Sequence, residues 1–134
     1  MTELLSLTND SEVLFRQVHP DLMDGEVPAS SGFLPTPGDN DELSVDRSSI
    51  TTAGAAFSLY TSGGRRSAAV FAVTVGEFRA EGIPCREDPI PQSPTAPANP
   101  AHAIADYKQH GSNQQKKIAK RLKQKAVFRG KLHP

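Results

Sequence analysis

The sequence predicts an α+β fold: a small, mostly antiparallel or mixed sheet with short helices and a C-terminal basic amphipathic helix. Three observations carry this prediction. Apolar runs of strand length, "VLFRQV", "LSVDR" and "SAAVFAVTV", are separated by segments rich in Gly, Pro, Ser and Asp. A stretch of small residues at helical spacing follows the second run. The last 23 residues, 112–134, are rich in lysine around a single apolar stripe.

Taken in order, residues 13–18 read as a strand with Arg16 and Gln17 inside an apolar run. Residues 19–42 are loop-like, with "SGFLP" as a short edge strand. In "LSVDR" the alternation turns Leu43 and Val45 to the core and Ser44 and Asp46 to the other side. Ser48, Ser49, Thr51 and Thr52 offer N-caps for a helix that runs to about Thr61, with Ala53, Ala56, Phe57 and Tyr60 on one face. Gly63-Gly64 ends it. The run 67–75 is apolar on both faces, which predicts a central strand. "GEFRAEG" gives a helical turn closed by Gly82. The Pro-rich segment 82–100 reads as extended and exposed, and "AHAIADY" as the last strand. Ser112 or Asn113 caps a helix that reaches about Arg129, its stripe formed by Ile118, Ala119, Leu122 and Ala126.

The length of 134 residues suits one domain. Its organisation reads as an acidic body, 1–111, with Pro-rich loops at 20–40 and 82–100, followed by the basic helix 112–134, packed on the body or on a partner. Net charge is zero, yet every acidic residue precedes residue 112, so the body carries −8 and the C-terminal segment +8. Cys85 is the only cysteine, which excludes an internal disulfide and suits a reducing, cytoplasmic setting. The N-terminus lacks the basic and apolar regions of a signal peptide, and no run is long enough to span a membrane.

The residues able to carry chemistry are few. Arg16, Ser44 and Glu77 sit in or at the ends of strands, where they would form a catalytic set: a guanidinium for a phosphate, a hydroxyl for a ribose, a carboxylate for a developing positive charge. Ser49, Thr51 and Thr52 would offer a cofactor the N-terminus of the following helix. His19 and His102 stand beside prolines without metal-ligand spacing, and read as loop histidines bonded to backbone; no metal is expected. Cys85 reads as a half-exposed thiol. Lys116, Lys117, Lys120, Arg121, Lys123 and Lys125 form the partner-binding candidate. This helix would lie on its own acidic body, dock an acidic protein, or meet nucleic-acid phosphates, the last with only Phe128 to stack on a base.

Leu43-Ser44, the following helix, Gly63-Gly64, "AVFAVTV" and Gly82-Ile83-Pro84 occur in an order that resembles the ADP-ribosyltransferase fold, in its RNA 2′-phosphotransferase branch, over roughly residues 13–106. That resemblance implies NAD or an RNA end as ligand. The chain is also similar, through "LFRQVHP", "LSVDR", "VTVGE" and "PAHAIAD", to small bacterial proteins, which implies a bacterial source. No Glu-x-Glu or Gln-x-Glu pair occurs. The leading expectation is therefore a non-catalytic accessory module of a bacterial conflict or defence system, without a cofactor and acting through protein–protein contacts. The alternatives are an ADP-ribosyltransferase-like enzyme using NAD and a nucleic-acid contact through the basic tail.

Overall fold

The computed structural model describes residues 5–36, 38 and 40–134. The start of the N-terminal segment, 1–4, and positions 37 and 39 of the first Pro-rich loop lie outside the described residues. In chain order the elements are β1 (Val13–Val18), β2 (Met23–Asp24), β3 (Val27–Pro28), β4 (Glu42–Arg47), α1 (Ala53–Ser62), β5 (Ala69–Thr74), α2 (Val75–Ala80), β6 (Cys85–Glu87), β7 (His102–Asp106) and α3 (Ser112–Arg129). Two single 3-10 turns, Pro20–Leu22 and Ser30–Phe33, punctuate the first long loop.

The main sheet has the order β5-β1-β4-β7-β6, and every neighbouring pair is antiparallel. The fold is therefore α+β, as the pattern of short strands predicts. The alternation read in "LSVDR" sets the faces. Leu43 and Val45 point the same way as Leu14, Phe71, Val73, Ala103 and Ala105, and α3 lays Ile118, Ala119, Leu122 and Ala126 on them to make the main core. A Leu side chain buried in this way contributes about 1.5–3 kcal/mol. The opposite face holds a smaller cluster in which α1 brings Ala56 and Phe57 onto Phe15, Val70 and Ala72.

The helix ends follow local chemistry. Thr52 caps α1 by accepting the Ala55 N–H at 3.1 Å, and Gly64 beyond its end takes φ +89°, where a Cβ would strain the backbone. Thr74 and Glu77 form a reciprocal capping box at the start of α2, and Gly82 leaves that helix at φ +74°. The cap of α3 is Gly111, just before the expected Ser112 or Asn113, so no side chain caps this helix.

Three expectations are corrected. The apolar run at 67–75 is an edge strand rather than a central one. It is apolar on both faces because α1 and α3 cover both, and its outer edge is closed as well. Val70 exchanges backbone bonds with Leu132 and His133, and the Arg129 guanidinium donates to the Ala72 carbonyl at 2.8 Å. "SGFLP" forms a 3-10 turn, not a strand, with Gly32 and Phe33 buried where α3 packs on it. Within the Pro-rich segment, Cys85–Glu87 pairs with β7 as the other edge strand, and residues 5–7 cover its outer side through Leu7 N–H to the Cys85 carbonyl and Glu87 N–H to the Leu5 carbonyl. Cys85 is consequently buried instead of half-exposed, and burial, with Glu12 nearby, pushes its thiol up to about 12.

Candidate functional site

The two faces of the sheet are finished differently. The α3 face carries the main apolar core, with Arg16, Arg47 and Glu87 on it by register. On the other face α1 covers only the β5-β1 half, and the β4-β7-β6 half presents Ser44, Asp46, His102 and Arg86. The segment 88–101 folds back over this half. Ile90 and Asn99 exchange backbone bonds, Ser93 and Ala96 close its tip, and Asn99 Nδ2 donates to Asp46 Oδ1 at 2.9 Å.

A cleft lies between this loop and α1. Its inner part, about 190 Å³, is lined by Phe15, Gln17, Ser44, Asp46, Tyr60 and His102, among others. It adjoins a cavity of about 310 Å³ that shares Asp46, Tyr60 and Arg65 and adds Ala56, Leu59 and Pro97. Asp46 is 8 % exposed, and burial raises its carboxyl above the ordinary range, partly offset by the Asn99 bond and by His102 and Arg16 nearby. His102 Nδ1 faces two acceptors of Asp88, the backbone carbonyl at 2.9 Å and Oδ2 at 3.1 Å. Nδ1 therefore carries the proton, and in the neutral ring Nε2 is an acceptor. Gln17 is 7 % exposed; its Oε1 accepts from Ser67 Oγ at 2.8 Å, and its buried Nε2 has no partner among the described residues. Arg65 stacks on the Tyr60 ring at 5.4 Å from the centroid.

The structure brings together Arg16 and Ser44 and leaves Glu77 apart. β1 and β4 pair only at Leu14↔Arg47 and Phe15↔Asp46. Beyond that point the Arg16 side chain reaches across the gap, donating from Nη1 to the Ser44 carbonyl at 3.1 Å and from Nε to the Gly32 carbonyl at 2.8 Å. Ser44 is exposed at the rim of the cleft. Glu77 lies past the Thr74 end of β5, where Thr74 pairs with Val13 rather than with Arg16. There it accepts the Thr74 N–H and the Arg129 guanidinium, and despite partial burial these bonds hold its carboxyl below the ordinary range. Ser49 donates to Glu12 at 2.7 Å, the Thr51 N–H bonds the Arg47 carbonyl, and Thr52 caps α1. All three hydroxyl residues hold the β4–α1 connection rather than line the cleft.

The lysine-rich face of α3 forms a second feature. Lys116, Lys117, Lys120, Arg121 and Lys125 are exposed and Lys123 is half-buried, while Phe128 at the end of the helix is 95 % exposed. Arg121 pairs with Glu81 at 2.7 Å and Arg129 with Glu77 at 3.0 Å. The lysines of α3 make no ion pair among the described residues. The acids of the body are engaged elsewhere: Glu12 by Arg47, Glu42 by Arg86 and Lys108, Asp106 by Arg86, and Asp10 by Arg79.

Among the described residues no helix is long and apolar enough to cross a membrane, and no group of three or more His, Cys, Asp or Glu side chains is placed to hold a metal ion. Compared with known proteins, the chain matches no family model, no curated protein and no solved structure.

Sequence reasoning did not single out Gln17, Asp88 or Asn99, or give the cleft to Asp46 and His102. One signal was present. Gln17 shares a face with Phe15 in a strand otherwise apolar on that side, so a polar group is set where the pattern asks for hydrocarbon.

Proposed function

We propose that the protein is a non-catalytic interaction module, an accessory subunit of a bacterial system, that docks an acidic protein surface through the outer face of α3. One observation carries this reading. Among the described residues the lysines of α3 make no ion pair, and all but Lys123 stand exposed, although the same chain supplies enough acid to neutralise them. Surface lysines contribute little to folding, so their concentration on one helix face has its use outside the fold. Phe128 gives that face an aromatic anchor within a cationic rim, the anatomy of a protein-binding hot spot. A nucleic-acid surface would call for several stacking rings and bidentate arginines, whereas here Phe128 is the single aromatic of α3 and Arg121 is already committed to Glu81.

An anisotropy titration tests this with a labelled acidic peptide carrying one aromatic residue, set beside single-stranded RNA and duplex DNA of equal charge, at low and physiological salt. The expected result is that the peptide binds, that binding weakens with salt, and that Phe128→Ala weakens it several-fold. Tighter binding of RNA or DNA than of the peptide at both salt concentrations would overturn the proposal.

A further inference from the structure

The outer face of α3 calls for an acidic surface with an apolar spot for Phe128, and the chain itself carries one. Asp24 and Glu26 are exposed and make no ion pair among the described residues. Asp21, close by in the chain, is exposed too, and its ion-pair contact is with His19 at 3.6 Å. β2 and β3 hold Asp24 and Glu26 on a tight hairpin. Met23 pairs with Pro28 and Asp24 with Val27, so Gly25 and Glu26 form a two-residue loop, with Gly25 at φ +66°. Leu22 and Met23 are only half-buried and leave apolar surface beside the carboxylates.

Hairpin and helix stand side by side. Leu22 and Met23 pack on the same core that takes Ile118, Ala119 and Leu122, and β3 touches α3 directly. Lys117, Lys120 and Phe128 fall at helical spacing on the side of α3 opposite that stripe, and all three are exposed. Within one molecule, no lysine of α3 pairs with Asp24 or Glu26 among the described residues. A cationic strip with an aromatic anchor thus lies next to an acidic hairpin with an apolar patch. Such a surface is self-complementary about a two-fold axis: the strip of one copy covers the hairpin of the other, and the reverse contact forms at the same time. We infer, on the strength of the docking reading, that the partner of α3 is a second copy of this chain. Lys117, Lys120 and Phe128 of each copy meet Asp24, Glu26 and the Leu22–Met23 surface of the other. An unrelated acidic protein satisfies one of these contacts, whereas a second copy satisfies both. The net charge of zero means that two copies approach without overall repulsion, which favours association of like chains.

Sedimentation velocity of the full chain, over a wide concentration range at low and at high salt, tests this. At low salt the average sedimentation coefficient is expected to rise with concentration toward that of a dimer, and at high salt to fall back to that of the monomer. Asp24→Lys with Glu26→Lys, and separately Lys117→Glu with Lys120→Glu, should each weaken association at least tenfold. An equimolar mixture of the two double variants should pair again, because each presents the charge that the other now needs. Recovery in the mixture would not arise from two misfolded chains. Three results each overturn the inference: a chain that stays monomeric at low salt at every concentration, association that neither double variant weakens, or a mixture that fails to pair. The acidic aromatic peptide separates this inference from the docking reading. Peptide bound by a chain that stays monomeric excludes the second copy alone, whereas a chain that neither binds the peptide nor pairs overturns both.

Discussion

Gln17 and Gln115 are equally buried, at 7 % exposure each, and they show how differently the two faces of the sheet are built. On the α3 face, Gln115 Nε2 donates among the Tyr107 carbonyl at 3.1 Å, the His110 carbonyl at 2.9 Å and Asp41 Oδ1 at 3.3 Å. It ties the start of α3 to the end of β7. Tyr107, beside it, donates its hydroxyl to the Phe33 carbonyl at 2.6 Å, and burial raises its phenol above the ordinary range. On the α1 face, Gln17 Nε2 has no partner among the described residues, and burial raises the Asp46 carboxyl above its ordinary pKa. A buried donor left alone costs about 1–3 kcal/mol, so one face minimises such costs and the other tolerates them.

Substitutions break this comparison at graded strength. Leu122→Ala empties the centre of the α3 face and should cost about 2–5 kcal/mol in urea unfolding. A loss below about 1 kcal/mol would mean that the helix is not seated as described. Gln115→Leu strips three acceptors of their donor and should cost about 1–3 kcal/mol. Gln17→Leu, at the same depth, should cost less than Gln115→Leu, because it removes an unpartnered donor along with its one bond, and Ser67 Oγ, which loses Gln17 Oε1, keeps the Ala69 carbonyl at 3.2 Å. A loss as large as that of Gln115→Leu would erase the distinction between the faces.

The pH dependence sharpens the same contrast. Asp46 has a folded-state pKa raised above its unfolded value, so it costs nothing below the ordinary aspartate range and destabilises as pH rises through that range. Asp46→Asn should therefore match the parent in acid and exceed it in thermal stability at neutral pH. Glu12 behaves in the opposite sense. Burial raises its pKa, but the bonds from Arg47 and Ser49 outweigh that and lower it overall. Its stabilisation is present above the unfolded pKa and lost as pH falls through the folded one. Glu12→Gln should thus lose stability at neutral pH and converge with the parent in acid, which thermal melts at several pH values would read directly.

Much of this architecture was legible in the sequence, because periodicity reports burial. β1, the α1 span, the alternation of β4 and the α3 stripe all came from apolar spacing. What failed was anything decided by distant partners. β5 is apolar on both faces because two helices happen to sandwich an edge, and no feature of "AVFAVT" distinguishes that from a central position. β6 is three residues in a Pro-rich run and becomes a strand only because β7 lies beside it. The site was harder still. Glu77 looked chemical, yet Thr74-x-x-Glu77 is also a helix-capping pattern, and the capping role is the one the fold uses. Gln17, Asp46 and His102 sit on strands far apart in the chain, so only the strand order β1-β4-β7 makes them neighbours.

The smallest expected effect on stability comes from the outer face of α3, and it leads to the most direct test. Under the proposed function that face serves docking and not folding. The measurement is the triple variant Lys117→Glu, Lys120→Glu and Phe128→Ala, followed in parallel by thermal unfolding and by affinity for the acidic aromatic peptide. The expected result is an unfolding temperature within a few degrees of the parent and a loss of binding of at least tenfold. Unchanged affinity, or a collapse of the unfolding temperature comparable to that of Leu122→Ala, would contradict it.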